Sequence, residues 1–478
     1  STSRHKMPAV STGAAPEPRA ALVAGDALLA ATPTEAGALP GAGSSSCAAA
    51  PPLGPYPEEV EVARFEAAKK SASVGSATSV VGALLLANTL LGGTGMLGIP
   101  HAFAVAGYAV GTLCVLCSAC CSAFGSHLLA LSARRIGQAP CSFYTVAGAV
   151  APRWTWLIDG AVTVKCFGVA TSYLMIVGDL APDALRYFGA GDVSRRACVA
   201  GAFVVGGSLT CLRNLSALRH TAAASLAIVL WTVLLLALFV ACPGPTFDPC
   251  AGQESWEIAA GLGRKAECNN LDLDVVSGQG VLHILKALPV FIFSFTCQQN
   301  VFPVCNEVKN VTRSRINNTI GVAYAFATTA FLGAAFFGYC TYGNQVESDV
   351  LKGYPRKWPV EATRLLYSLL VVFSFPLQVH PSRSSALSLW SMVAGPAEGF
   401  RRFWIVTAVL LTLSLAIALS LEELGIILAI VGATGSTAVS YILPGLIYTQ
   451  AFPERHVKRV FAKLQLGVGC VIMPVCLA

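Results

Sequence analysis

The chain has 478 residues, 55% of them hydrophobic and only 12% charged, with a net charge of +7 and a mean hydropathy of +0.64. Soluble domains carry about 25% charged residues, so a soluble enzyme, a nucleic-acid binder and a disordered scaffold are nearly excluded. No Asp, Glu, Lys or Arg occurs between Lys70 and Arg134, Arg219 and Asp248, Arg315 and Glu347, or Glu423 and Glu454. Such runs suit helices of about 20 residues crossing a bilayer; barrel strands would instead alternate polar and apolar residues. The expected fold is an all-α polytopic membrane protein, partnered by lipid and not by nucleic acid.

Residues 1–75 are rich in Ala, Pro, Gly and Ser, and Asp26 interrupts the one apolar stretch there. They read as a disordered cytosolic tail without a signal peptide. Residues 76–478 form the transmembrane domain, with about eleven spans of bilayer-crossing length. These are placed at 78–107, 109–132, 155–181, 197–212 and 221–242, then at 281–304, 316–342, 363–379, 403–420, 424–448 and 464–478. The last falls short of a full crossing, and the chain does not open on Met, so it reads as clipped. Loop Lys and Arg residues, among them Arg134, Arg135, Arg153, Lys309, Arg313, Arg401, Arg402 and Lys458, favour a cytosolic N-terminus. The acidic loop after the fifth span then lies outside or in a lumen, where Cys250 and Cys268 could pair as a disulfide. The other cysteines fall mostly inside apolar runs and behave as small apolar side chains.

The first span holds Gly92, Gly93, Thr94 and Gly95, with Pro100 beyond. These are poor residues for a continuous helix. Unpaired backbone at membrane depth is tolerated only where protein or a water-filled cavity satisfies it. The break therefore reads either as a binding site built from helix ends or as a glycine face for close packing. The sixth span breaks in the same way, turning polar at Ser294, Thr296, Gln298, Gln299 and Asn300. Two interrupted spans in corresponding positions point to an inverted-repeat transporter, with free amides suited to a carboxylate and free carbonyls to an amine or cation. Lys165 in the third span must face the interior; it is read as structural, with gating or proton coupling as alternatives. His101 and His127 are read as packing residues. Ser374 beside Pro376 puts a hydroxyl near a freed carbonyl, suited to a hard cation or to bonding its own helix. No nucleophile–base pair, metal-ligand spacing or phosphate loop is present, so neither a catalytic residue, a metal site nor a resident cofactor is expected.

Several ordered stretches resemble the amino acid/auxin permease family, which includes vacuolar amino acid transporters and sodium-coupled neutral amino acid transporters. Asn88 to Pro100 resembles its first helix and Lys165 to Asp179 its third. Leu212 to Arg219 resembles its fourth-to-fifth connection, Phe295 to Glu307 its sixth helix and Ser374 to Arg383 its eighth. Val431 to Ser436 and Ile442 to Tyr448 are similar to its tenth. The resemblance implies a LeuT-type five-plus-five inverted repeat of the APC superfamily. It implies ion-coupled secondary transport of amino acids in a monomer, at a vacuolar or lysosomal-type membrane or the plasma membrane. A non-transporting amino acid sensor is the alternative. By position, the substrate site is Asn88, Gly92, Gly93, Thr94 and Gly95 with Ser294, Phe295, Thr296 and Cys297. Asn88 and Ser374 would hold the coupling ion, Na⁺ or H⁺. Gly92-Gly93 adds one residue to the family pattern, and Gln298 stands where vacuolar-type members often carry a histidine.

Overall fold

The computed structural model describes residues 57–75, 77–211, 221–242, 244, 246–249, 273–276, 280–395 and 400–477. Cys250 and Cys268, and the tail through residue 56, lie outside the described residues. Seventeen α-helices form among the described residues. They are α1 (Glu58–Ser71), α2 (Ser79–Leu91), α3 (Gly95–Ala106), α4 (Tyr108–Ile136), α5 (Phe143–Val150), α6 (Thr155–Tyr187), α7 (Arg195–Cys211) and α8 (Thr221–Ala241). After the acidic loop come α9 (Val281–Ser294), α10 (Val301–Glu307), α11 (Arg313–Tyr342), α12 (Val350–Gly353), α13 (Trp358–Ala394) and α14 (Phe400–Ser420). The last are α15 (Leu424–Val431), α16 (Leu443–Ala451) and α17 (Val457–Leu477).

Among the described residues nine helices are long and apolar enough to cross a membrane, or ten when α2 and α3, bent by 56°, count as one span. The 17-residue α7 is shorter. No strand forms among the described residues; Ala77 and Val308 make one isolated bridge. The α6 span and the span from His283 to Glu307 are 78% buried, against 22% for α14 and 17% for α17. The first pair therefore makes the centre of the bundle, and the second pair presents its apolar side chains outward. Helix α6 packs along much of α13.

Three boundaries differ from expectation. Part of the expected disordered tail is helical: α1 turns Glu61, Phe65 and Lys69 inward, a spacing of about one turn that puts them on one stripe. The eighth span, expected over 363–379, runs 37 residues as α13. Its internal charges are paired rather than terminal. Arg364 bonds Glu361 at 2.6 Å, and Arg383 bonds His380 at 2.7 Å and the Thr210 carbonyl at 3.3 Å. The final helix begins at Val457 rather than 464 and reaches 21 residues. Lys458 and Arg459, which masked its start, bond His127 and the carbonyls of Pro453 and Thr449.

Candidate functional site

The first span breaks where its sequence stops favouring helix. Helix α2 ends at Leu91 and α3 starts at Gly95. The sixth span breaks after Ser294, passes through Phe295, Thr296 and Cys297, makes one tight turn at Gln298–Asn300 and resumes as α10. The two breaks touch. A Cβ built on Gly95 would stand 2.7 Å from the Ser294 Cα and 2.6 Å from its Oγ. Only a glycine lets these two backbones approach so closely. The Asn300 amide also donates to Thr89 Oγ1 at 2.9 Å, tying the spans one turn away.

The carbonyls released by the first break meet hydroxyls. Tyr367 of α13 donates to the Gly93 carbonyl at 3.1 Å, and Tyr173 of α6 lies 3.5 Å from that of Gly92. Thr94, fully buried, shares a hydrogen bond with Ser172 of α6 at 3.2 Å. Asn88 accepts from Ser225 of α8 through a short bond. Gly93 is the open position of the set; a Cβ there would meet only the Leu90 carbonyl, at 3.8 Å.

The remaining residues of the sixth-span break face a second polar cluster. The Phe295 carbonyl accepts from Ser122 of α4 at 2.5 Å. Ser122 also meets the Tyr324 hydroxyl at 2.8 Å and accepts from the Gln298 amide at 2.7 Å. Cys297 Sγ lies 3.1 Å from the same tyrosine hydroxyl. Ser440 donates to Thr296 at 3.0 Å and to Gln298 at 2.9 Å. Ser440 lies in the π-helical stretch Ala438–Ile442, preceded by another, Gly432–Ser436. Such wide turns free backbone groups inside a helix. Lys165 is buried with its backbone against Gly435 of that stretch.

The structure thus brings Gly92, Gly93, Thr94, Gly95 and Ser294 together. Phe295, Thr296 and Cys297 sit beside them but bond toward α4, α11 and the π-helical stretch. Asn88 is engaged by α8. Ser374 is half-buried on α13, seven residues past Tyr367, about two turns along the same stripe. Sequence reasoning missed Tyr173, Tyr367, Ser172 and Ser225 as partners of the break. Their signal was a hydroxyl inside a charge-free or nearly charge-free span, which a one-dimensional reading cannot aim. Among the described residues no cluster of His, Cys, Asp and Glu could hold a metal.

Chemically, the arrangement offers helix-end amides and carbonyls in a buried, uncharged setting. The first turn of α3 leaves amides without intrahelical partners, and the last turn of α9 leaves carbonyls. The first group suits an anion such as a carboxylate and the second a cation such as an ammonium.

Residues 75–478 match the family described as transmembrane amino acid transporter protein. Vacuolar amino acid transporter 5 of Schizosaccharomyces pombe is 33% identical, covering 84% of this chain and 94% of its own length. Vacuolar amino acid transporter 6 of Saccharomyces cerevisiae is 26% identical over 83% of this chain and 97% of its own. Sodium-coupled neutral amino acid transporter 4 of Homo sapiens is 24% identical over 81% of each. A solved manganese transporter from Eremococcus coleocola is similar in shape over 84% of this chain and 85% of its own, at 10% identity and a TM-score of 0.48.

Proposed function

The chain belongs to the transmembrane amino acid transporter protein family, and from that premise we propose that it carries amino acids across a membrane by ion-coupled alternating access. Its relatives are named as transporters, and it is a transporter rather than an enzyme. The observation that carries the finer reading is the meeting of two broken spans at Gly95 and Ser294, with two tyrosine hydroxyls on the carbonyls beside them.

In this reading the substrate carboxylate docks on the amides of Thr94, Gly95 and the turn that follows. The ammonium group faces carbonyls at the end of α9 near Ser294. The Phe295 carbonyl, Thr296 and Cys297 form the wall behind it, braced by Ser122, Ser440 and Tyr324. Binding satisfies backbone groups that otherwise need water, so substrate favours the state in which the two breaks close on each other. Eleven spans arranged as a LeuT-type five-plus-five repeat, with the eleventh appended, accommodate these two breaks in equivalent positions. That count takes α2 with α3 as one span and includes α7. The N-terminal side of the chain, with α1 docked on the bundle, faces the cytosol. The membrane is of vacuolar or lysosomal type or the plasma membrane, and the functional unit is the monomer.

The coupling ion is Na⁺ or H⁺. Asn88 and Ser374 are the proposed cation ligands, both oxygen donors of the kind a hard cation takes. Asn88→Ala and Ser374→Ala, measured for uptake against Na⁺ concentration, test this. Each substitution raises the Na⁺ concentration needed for half-maximal uptake while leaving the amount of protein in the membrane unchanged. Na⁺ dependence identical to wild type in both would remove the cation assignment.

A further inference from the structure

The segment between α11 and α13 folds back over the bundle as a lid, at the far end of α11 from its first residue, Arg313. Arg313 pairs with Glu58 of α1 at 3.2 Å, so α1 and the lid lie at opposite ends of a helix about 45 Å long. The lid is held by backbone acceptors. The Val346 carbonyl bonds His101 of α3 at 2.8 Å. Arg364 of α13 donates to the carbonyls of Leu351 at 2.8 Å and Tyr354 at 2.6 Å. Ser348 lies against Gly98 of α3 and Gly425 of α15.

Inside this lid Asp349 is 1% exposed. One carboxylate oxygen accepts from the Leu351 amide at 3.0 Å. The other is buried and has no hydrogen-bond partner. An ionised carboxylate with one oxygen dry and unpartnered is costly, whereas a carboxylic acid needs fewer acceptor bonds. The carboxyl is close enough to Tyr367, the residue on the Gly93 carbonyl, for charge to act between them. The lid therefore comes within charge range of the residue that caps the first-span break.

We propose that Asp349 is a proton-binding residue whose protonation holds the lid closed over the substrate site and whose ionisation releases it. The proposal deepens the reading of the chain as an ion-coupled carrier and rests on it.

The charges around Asp349 agree. Burial first, and the Asp179 carboxylate of α6 second, push the Asp349 carboxyl up to about 7, while the Leu351 amide, Arg364 and Lys352 pull the other way. Asp179 is itself paired with Arg195 of α7 at 3.1 Å, and Glu422, in the turn before α15, adds a like charge beside it. On the α13 side Arg364 is shared between Glu361 at 2.6 Å and Asp183 of α6 at 3.6 Å. Its positive charge is thus already answered, and no cation bonds Asp349 directly among the described residues. His101 faces the lid through a backbone carbonyl only. The sign follows from linkage. A carboxyl at about 7 in the closed lid, against 3.8 when hydrated, binds its proton more tightly when closed. Closure is opposed in full above about pH 7, and the opposition fades as pH falls toward 4. Between about pH 8 and about pH 5.5 the closed-to-open ratio rises about thirtyfold.

The test uses the full chain in proteoliposomes without substrate. Ser348→Cys is labelled from the lid side by a membrane-impermeant maleimide, read at its own peptide by mass spectrometry so that native thiols such as Cys242 do not contribute, and normalised to Gly353→Cys, which is exposed on the same loop. In the otherwise wild-type protein, normalised labelling falls as pH drops through 7. Adding Asp349→Asn holds Ser348→Cys, half-buried in the closed lid, at its low-pH labelling at every pH, and Asp349→Glu restores a pH response. Labelling that ignores pH in wild type overturns the proposal, as does a pH response that survives Asp349→Asn. Should the Asn variant fail to fold, loss of the response in the Glu variant overturns it equally. Because no substrate is present, absence of amino acid flux would defeat the carrier reading and leave this result standing.

Discussion

Gly95→Ala is the smallest change that tests whether the two breaks work as one site. The added methyl carbon would stand 2.7 Å from the Ser294 Cα and 2.9 Å from its Cβ. Ordinary carbon contacts sit near about 3.5–4.0 Å, so the two backbones must separate by nearly an ångström. Removing the Ser294 hydroxyl does not help, because the nearest carbon belongs to the backbone. Overpacking of this kind costs about 1–3 kcal/mol, which is about a 5- to 150-fold loss of the closed arrangement. Gly207→Ala on α7, outside the site, is the matched control, since its new carbon meets nothing nearer than a Leu411 methyl at 3.8 Å. The assay is initial uptake of a radiolabelled amino acid at equal membrane abundance, with thermal unfolding of the purified protein alongside. Gly95→Ala lowers uptake at least about fivefold, and Gly207→Ala changes it far less. Equal uptake by Gly95→Ala and wild type would refute the reasoning, because the close approach would then have no part in transport.

Tyr367→Phe removes the hydroxyl from the Gly93 carbonyl and keeps the ring. Substrate affinity shifts by about 0.5–1.5 kcal/mol, seen as a severalfold change in KM with little change in Tm; an unchanged KM would detach Tyr367 from the site. Arg135→Ala deletes the guanidinium that joins Glu61 of α1 at 3.0 Å to Glu454 at 2.8 Å. Glu61 stays buried without that partner, so α1 loosens by about 3–5 kcal/mol at most, and limited proteolysis cuts between α1 and α2; an uncut junction argues against the docking. Acid should release α1 as well. Burial raises the Glu58 carboxyl, but its bond to the Arg313 amide and the charges of Arg134 and Arg313 outweigh that and hold it below its ordinary 4.5. A lowered carboxyl stabilises docking above that value and loses its effect as pH falls through the folded one. The same proteolysis therefore increases as pH falls below 4.5, and cleavage independent of pH would contradict it.

Much of the architecture was legible because lipid imposes simple demands. Charge-free runs mark spans, and Gly92 to Gly95 mark a break, since neither feature needs knowledge of neighbours. The errors arose where charges sit inside helices. Glu361 and Arg383 fell outside the expected span but are paired within α13, with Arg364 and His380, and Lys458 and Arg459 hid the first turns of α17. Helix α1 was invisible for a related reason: Glu61 and Lys69 read as solvated until Arg134, Arg135 and the Val308 carbonyl are seen to receive them. In the site, the glycines announced themselves, whereas Tyr173, Tyr367 and Ser225 did not. A hydroxyl in an apolar run has no direction until the helix is rotated and placed. Asp349 shows the same limit, for its sequence context, Glu347 to Val350, gives no hint that one oxygen is dry.

The central claim is ion-driven carriage of an amino acid, and one measurement addresses it directly. Purified protein in proteoliposomes is given a mixture of radiolabelled amino acids, with a Na⁺ gradient and a pH gradient imposed in separate experiments. The account predicts saturable accumulation above equilibrium under at least one of them, absent from liposomes without protein. Na⁺-driven accumulation supports the Asn88 and Ser374 cation site, and pH-driven accumulation directs attention to protonated groups such as Asp349. Binding of an amino acid with no flux under either gradient would contradict the account and make the chain a sensor.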